Sequence, residues 1–423
     1  MAKFSWKEVG SGFKSILSRN ALLIMGFYIL NMYSTYFKNG FRSLLVLDEV
    51  GLAPTVLGVL VSFFLIIGLV TRTPAGNIVD RKQDKIKTIL IAVAILKALS
   101  CLLYTYLNNT VGMWISFFFD GVVWSFVGVA SPAVLAKSVD KRAMGSAYAI
   151  FEGGMAVITA SARPLGATLF NEYGSRLPAW IAFGIQIVSV LFVIFMDGSK
   201  FAKNVSDIKE KIADKAEEKA PKATPGKKAF LGLSMVALPL ALLNGAQYIM
   251  YNMESNFCAD FANTMNFNYL GPATLGGTIF GILSIVVGFL CDFMNQALLI
   301  IIAFTGQAVA PCMLASATTQ SMFGAGLMIY FLTRYYTMPL KILAMKKVPA
   351  SDQGIVAGTI LFGQDAFSII ATTLCGALID KIGYSGTFNS LSVLGVLLLV
   401  VFIIYTIRDN KKRRLSDAAK SLV

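Results

Sequence analysis

Twelve apolar runs dominate this chain and limit what it can fold into. Each run is close to the roughly 20 residues that a helix needs to cross the hydrocarbon core of a bilayer. Six runs precede a polar segment at residues 200–228, and six follow it. The runs lie near residues 21–40, 54–75, 88–107, 111–133, 144–170, 177–197, 229–255, 268–290, 297–316, 319–341, 354–379 and 387–407. The pattern predicts an all-α membrane protein with two six-helix bundles.

The composition of the chain agrees with a lipid environment. Hydrophobic residues make up 56% of the 423 residues and charged residues only 14%, which is atypical of a soluble domain. The formal net charge of +14 would suggest nucleic acid as the partner of a soluble protein. Here the positions of the basic residues explain it better, and we expect no nucleic-acid partner.

Basic residues are concentrated on one side of the predicted bilayer. Lysine and arginine mark cytoplasmic connections, and the opposite connections hold only Arg42, Arg176 and Lys381. The basic side carries Lys3, Lys7, Lys14, Arg19, Arg81, Lys82, Lys85, Lys87, Lys137, Lys141, Arg142, Lys346, Lys347, Arg408, Lys411, Lys412, Arg413, Arg414 and Lys420. The sequence therefore predicts a multi-pass protein of the cytoplasmic membrane with both termini in the cytoplasm.

Three segments follow from these patterns. Residues 1–199 are predicted to form the N-terminal bundle, preceded by an amphipathic helix in the membrane interface that carries Trp6, Phe13 and Leu17. Residues 200–228, rich in lysine and glutamate, are predicted to be a cytoplasmic linker. Residues 229–423 are predicted to form the C-terminal bundle and a basic cytoplasmic tail.

An internal repeat supports two bundles of one design. The segment Gly76–Lys85 lies between two apolar runs, and a shortened copy recurs at Gly288–Asp292. Likewise Leu135–Gly145 before run five resembles Leu343–Gly354 before run eleven. Parallel six-helix repeats are related by a pseudo-twofold axis along the membrane normal and place a substrate site at mid-bilayer between the halves.

With its six-plus-six layout and charged central linker, the chain resembles the major facilitator superfamily of secondary transporters. The segment after run two is similar to the signature of that family at Gly76, Asp80, Arg81 and Lys85, and differs from it at Gln83 and Asp84. The resemblance implies a gating motif made of Gly76, Asp80, Arg81, Lys85, Gly288 and Asp292. In this motif Asp80 would brace the cytoplasmic end of run eleven. A simple basic loop is the alternative interpretation.

Ionisable residues inside the apolar runs are candidates for the transport site, because each is costly in lipid. Arg163 and Arg334 cannot lose their protons, so each needs a carboxylate partner or an anionic ligand. Glu152 is eleven residues from Arg163, close to three helical turns, which predicts a shared face. Lys97 and Asp120 could instead form a buried structural pair. The predicted substrate-binding residues are Asn31, Tyr33, Tyr36, Asp120, Trp124, Arg163, Gln247, Tyr248, Tyr251 and Arg334.

The sequence limits the possible energy sources for transport. The chain has no Gly-x-x-x-x-Gly-Lys-Ser/Thr loop and no histidine, so Asp120, Glu152 and Asp365 are the candidate proton carriers. No cofactor, metal site or enzymatic motif is expected.

The favoured function is proton-coupled symport of a small organic anion by a monomer. The alternatives are an anion exchanger, a multidrug/proton antiporter and a non-transporting nutrient receptor. Multidrug members of the family often carry Gly-Pro in run five, whereas this chain has Arg163-Pro164.

Overall fold

The computed structural model describes residues 17–81, 85–138, 154–197, 229–230, 233–348 and 353–420, and most of them are helical. The chain divides into two compact units, Met1–Leu52 with Val59–Thr224 and Ala53–Gly58 with Pro225–Val423. The helices of the first half are α1 (Arg19–Leu44), α2 (Pro54–Arg81), α3 (Ile86–Tyr106), α4 (Thr110–Ser138), α5 (Ala162–Tyr173) and α6 (Arg176–Ile194). A π-helical turn at Leu45–Glu49 extends α1, and residues 154–159 form a helical stretch before α5.

The second half begins with a pair of two-residue strands. The strands β1 (Ala229–Phe230) and β2 (Leu233–Ser234) are antiparallel, with Phe230 opposite Leu233. They are followed by α7 (Leu238–Thr264), α8 (Leu270–Phe293), α9 (Gln296–Ala315), α10 (Gln320–Thr333), α11 (Thr337–Met345) and α12 (Gln353–Lys420), and a 3-10 turn at Arg334–Tyr336 joins α10 to α11. Gly383 divides α12 into two arms, because its φ of 70° is readily adopted only by glycine. Predicted runs eleven and twelve correspond to these arms.

The same pattern of helix neighbours occurs in each unit. In the first unit α1 packs on α5 and α6, and α3 packs on α4 and α6. In the second unit α7 and α9 pack on α12, and α9 also packs on α10. Each unit has its own apolar core, with Phe27 and Leu90 in the first and Phe304, Ile360 and Phe402 in the second. This recurrence agrees with the predicted six-helix repeat.

Within the described residues, seven helical segments are long and apolar enough to cross a membrane. They are Pro54–Thr71, Ile86–Tyr106, Thr110–Gly128, Arg176–Ile194, Leu270–Val287, Gln296–Ala315 and the 53-residue segment Thr359–Lys411, which contains both arms of α12. Helices α1 and α7 are long enough but carry buried polar side chains, such as Lys38 and Glu254. The remaining predicted runs are divided by irregular turns or lie partly outside the described residues.

Prolines account for three differences from the predicted runs. Run seven was placed at 229–255, but α7 begins at Leu238 because Pro239 favours the first turn of a helix. Run ten is interrupted at Arg334–Tyr336, since Pro339 disfavours the regular bond to residue 335. In run five the helix is broken at residues 160–161, four residues before Pro164.

Close backbone contact fixes α1 against α5. A Cβ atom added to Gly40 would lie 2.0 Å from the carbonyl oxygen of Arg163, and one added to Gly166 would lie 2.1 Å from that of Phe37. Small residues at such contacts let membrane helices approach closely. This contact positions the part of α1 that carries the charged side chains of the first unit.

Candidate functional site

Two cationic side chains contact one carboxylate inside the first unit, and a third buried cation lies nearby. Lys38 on α1 donates a hydrogen bond to the carboxylate of Asp120 on α4, and the Arg42 guanidinium lies 3.8 Å from the other oxygen of that carboxylate. Lys97 on α3 is the third cation. The exposed fractions are 0% for Lys38, 1% for Lys97, 3% for Asp120 and 4% for Arg42. We call these four residues the cation cluster.

Asp120 is surrounded by hydrogen-bond donors. The Tyr104 hydroxyl donates to one carboxylate oxygen at 3.2 Å, and the Ser100 hydroxyl lies 3.4 Å from the other. Arg42 also lies 4.8 Å from the ring centroid of Phe117. Donors and cations of this kind stabilise an ionised carboxylate. The sequence had assigned Arg42 to an outer connection, whereas it occupies the last turn of α1 and is buried.

Lys97 has different partners from those the sequence suggested. Its ammonium donates to Oδ1 of Asn31 at 2.5 Å and lies 5.1 Å from the ring centroid of Trp124. Among the described residues, Asp120 has ion pairs within 4.0 Å only with Lys38 and Arg42. The Lys97–Asp120 pair considered from the sequence is therefore wrong in this structure, because Lys38 occupies that position.

Arg163 lies beside the aromatic side chains of α1. Its guanidinium is 5.6 Å from the ring centroid of Tyr36. The Tyr33 hydroxyl is 3.4 Å from that of Ser161, at the turn before α5. Glu152 lies outside the described residues. Its predicted position on the same helix face as Arg163 therefore stays a prediction.

Arg334 of the second unit lies among aromatic rings. Its guanidinium is 4.2 Å from the ring centroid of Tyr251, 4.9 Å from that of Phe280 and 6.0 Å from that of Tyr330. The rings of Tyr248 and Tyr251 have centroids 4.4 Å apart. Arg334 is partly exposed. Within the described part of the chain, no carboxylate lies within 4.0 Å of it.

Polar side chains of α7 face α12 in the same unit. Asn252 donates to Ser368 and accepts from Thr372, both at 3.2 Å. Gln247 is buried at 3% exposure, and its Oε1 atom has no hydrogen-bond partner among the described residues. Asp365 lies on α12 and is half-buried.

Glu254 is a candidate that sequence reasoning missed. It is 2% exposed and accepts a hydrogen bond from the Tyr269 hydroxyl at 2.8 Å. The predicted run ended at residue 255, which placed Glu254 at a membrane boundary, whereas α7 continues to Thr264. Pro239 is the sequence signal that could have revealed Glu254. It predicts a later start for α7, which places Glu254 inside the helix and not at its end.

The proposed gating residues fall where α2 and α8 end. Gly76, Asp80 and Arg81 are in the last turns of α2, and Lys85 is exposed immediately before α3. Gly288 and Asp292 are in the last turns of α8. The side chains of Asp80, Arg81 and Asp292 lie outside the description, so the gating motif stays a prediction.

The two units, with apolar exteriors and charged side chains gathered inside them, define a multi-pass α-helical membrane protein. The family model of the Major Facilitator Superfamily matches residues 21–372. The chain therefore belongs to the major facilitator superfamily, as its resemblance had predicted. It is a transporter and not an enzyme.

Solved structures of transporters share this fold at low sequence identity. The nucleoside transporter NupG has a TM-score of 0.64 at 11% identity, covering 90% of this chain and 98% of its own. A POT family transporter in complex with a thioalcohol-conjugated peptide has a TM-score of 0.67 at 13% identity, covering 91% and 96%. A variant of a peptide transporter POT in complex with sulfate has a TM-score of 0.70 at 12% identity, covering 92% and 94%. These similarities show the fold alone. No curated protein matches the chain.

Proposed function

We propose that this protein is a secondary active transporter that moves a small organic anion across the cytoplasmic membrane by proton-coupled symport. Alternating access would occur between a bundle at residues 1–199 and a bundle at 229–423, joined by a cytoplasmic linker at 200–228. Both termini would be cytoplasmic and the transporter a monomer. The observation that carries the proposal is the environment of Arg334.

Arg334 has the properties of an anion-binding residue. Its guanidinium stays protonated and lies against the faces of Tyr251 and Phe280, which stabilise a cation without neutralising it. No carboxylate among the described residues lies within ion-pair distance of it. Glu254 acts on Arg334 electrostatically from beyond ion-pair distance, and a substrate carboxylate in direct contact could accept two parallel hydrogen bonds from the guanidinium. We therefore assign Arg334 to the substrate carboxylate.

The aromatic and amide side chains near the charged groups would contact the rest of the substrate. In the second unit these are Gln247, Tyr248 and Tyr251. In the first unit they are Asn31, Tyr33, Tyr36, Asp120, Trp124 and Arg163. The buried amide of Gln247, whose Oε1 has no partner among the described residues, supports this assignment, because buried polar atoms are normally hydrogen-bonded.

Proton coupling would involve Asp120, Glu152 or Asp365. Anion exchange without protons is the second candidate, and one observation favours it. Asp120 already has Lys38, Arg42 and Tyr104 as partners inside the first unit, so its carboxylate is occupied by the protein's own charges and hydrogen-bond donors. A transporter of this kind would be driven by the gradients of its solutes alone.

The proposed gating role of Asp80 can be tested separately by mutation. Asp80→Asn should leave the folded amount unchanged and strongly reduce transport, because a carboxylate interacts with a helix N-terminus more strongly than an amide of the same shape. A folded Asp80→Asn variant that transports at the rate of the parent protein would remove this role.

The experiment for the proposed function starts with purified protein and a panel of mono- and dicarboxylates in a thermal-unfolding screen, with neutral amides of the same carbon skeletons as controls. A ligand that binds the folded state raises the unfolding temperature. Uptake of each stabilising carboxylate is then measured in liposomes without ATP, with and without an inward proton gradient.

Uptake accelerated by the proton gradient supports symport, and counterflow that is independent of the gradient supports exchange. Stabilisation by the neutral amides but not by the carboxylates would contradict an anionic substrate. Binding without any counterflow would identify a receptor, and preferential stabilisation by lipophilic cations would favour multidrug antiport.

A further inference from the structure

We propose that Lys97 is a proton-binding site of the first unit, with its side chain alternating between a neutral amine and an ammonium. The assignment deepens the proposed function, because it names a group that could carry the coupling proton. It differs from the sequence prediction, which considered only carboxylates. The Nζ lone pair of the amine would accept a proton from water, and the ammonium would return that proton to water.

The cation cluster contains more positive than negative side chains. Lys38 and Arg42 both lie at the carboxylate of Asp120, and Lys97 does not. With all four residues ionised, the cluster carries two more positive than negative charges. Buried charges need partners of opposite sign. Loss of one proton from the cluster would reduce this excess to a single charge.

Lys97 is the cation of the cluster that is best placed to lose this proton. Arg42 keeps its charge under all ordinary conditions. Lys38 donates directly to Asp120, and this contact stabilises its ammonium. Lys97 contacts an amide oxygen and an indole ring instead. Both contacts are weaker substitutes for a carboxylate, so the ammonium of Lys97 is the least stabilised of the three cations.

The charged groups that face Lys97 from the surrounding helices are mostly cationic. Lys38 and Arg42 lie on α1, and Asp120 lies on α4. Cys101 and Tyr104 follow Lys97 on α3 itself and are buried. Helix α6, which also packs on α3, has no ionisable side chain after Arg176 at its start. Desolvation and neighbouring cations disfavour a charged lysine, and Asp120 is the one described carboxylate that acts in the opposite direction.

Trp124 provides a direct probe of this equilibrium. The Nζ atom of Lys97 lies 5.1 Å from its ring centroid, so a change in charge alters the field at the indole. The chain has four tryptophans, and Trp6→Phe, Trp114→Phe and Trp180→Phe together leave Trp124 as the single emitter. We expect the emission of this purified protein to change in one proton step within the range from pH 5 to pH 10.

Variants of α3 identify the titrating group. Lys97→Met and Lys97→Arg should both abolish the transition, because methionine is neutral and arginine stays charged. Lys87→Met is the matched control, since Lys87 lies on the same helix but is only half-buried and donates to the carbonyl of Ile194 at 2.6 Å. This control should keep the midpoint of the parent protein.

Emission that is constant from pH 5 to pH 10 in the folded parent protein would overturn the proposal, as would an unchanged transition in Lys97→Arg. The parent measurement alone can overturn it, even where a variant does not fold. The experiment needs no substrate, which separates it from the proposed function. If the emission transition depends on Lys97 but the protein does not transport, symport is contradicted. If uptake is driven by protons but no emission transition depends on Lys97, only the assignment of Lys97 is contradicted.

Discussion

The two units of this protein accommodate buried positive charge in different ways. In the first unit Lys38 and Arg42 share the carboxylate of Asp120 and are almost completely buried. In the second unit Arg334 lies against the rings of Tyr251 and Phe280 and is partly exposed. The first arrangement neutralises charge with a side chain of the protein. The second places the charge against aromatic rings, with no carboxylate within 4.0 Å among the described residues.

This difference suggests a division of roles. A buried ion pair that loses one partner destabilises the fold, because the remaining charge has no compensation. A cation held by aromatic faces depends less on any single partner. We therefore expect substitutions that break the ion pairs of Asp120 with Lys38 and Arg42 to act mainly on folding, and substitution of Arg334 to act mainly on ligand binding.

The largest expected effect is that of Asp120→Asn. The substitution leaves Lys38 and Arg42 without a carboxylate, and we expect a loss of about 3–5 kcal/mol in the free energy of unfolding. Denaturant unfolding of the purified protein in detergent measures this loss. If the variant unfolds at the denaturant concentration of the parent protein, the carboxylate is not the group that holds the cluster.

An intermediate effect is expected at the contact that positions the cation cluster. In Gly166→Ala the new Cβ would meet the carbonyl oxygen of Phe37 at 2.1 Å, and we expect a loss of about 1–3 kcal/mol. Gly184→Ala on α6 is the matched control, because a Cβ there meets nothing within 4 Å. Its effect should be neutral or slightly stabilising. Equal unfolding temperatures for the two variants would contradict the close approach of α1 and α5.

The smallest effect is expected for a partly exposed ion pair of the second unit. Lys347, whose side chain is 9% exposed, lies 2.8 Å from Asp409, whose side chain is 28% exposed. Because Asp409 remains accessible to water and Lys347 keeps its hydrogen bond to the Tyr405 hydroxyl, we expect Asp409→Asn to lower the free energy of unfolding by about 1 kcal/mol or less. A loss as large as that of Asp120→Asn would show that burial does not distinguish the two pairs.

The helices could be predicted from the sequence because an apolar run of membrane length has few possible structures other than a transmembrane helix. The family could be predicted because the six-plus-six layout and the motif at Gly76–Lys85 resemble it. The ends of α7 and the break at Arg334–Tyr336 were missed, since both depend on single prolines. Tyr251 was named from the sequence as a candidate site residue, without its contact to Arg334. Phe280 was not, because it comes from α8, and spacing within one helix carries no information about contacts between helices.

The contacts of the cation cluster were likewise not predictable from spacing within one helix. Lys38, Lys97 and Asp120 were each visible as charges within apolar runs, but the choice of partner for Asp120 depends on how α1, α3 and α4 pack. The sequence allowed a pair with Lys97, and the fold instead brings Lys38 to the carboxylate. Arg42 was assigned to a connection because its helix extends four residues beyond the predicted run.

The most direct test of the account compares Arg334→Gln with Arg42→Gln. For both variants the unfolding temperature and the affinity for a stabilising carboxylate are measured on the same preparation, with Arg334→Lys as a third variant that keeps the charge but loses the bidentate geometry. We expect both Arg334 variants to have the unfolding temperature of the parent protein.

The account predicts that Arg334→Gln binds the carboxylate one to two orders of magnitude more weakly, which corresponds to a charge-assisted contact of about 1.5–3 kcal/mol. It also predicts that Arg42→Gln unfolds at a lower temperature. Normal affinity in folded Arg334→Gln, or failure of that variant to fold while Arg42→Gln remains stable, would contradict the division of roles between the two units.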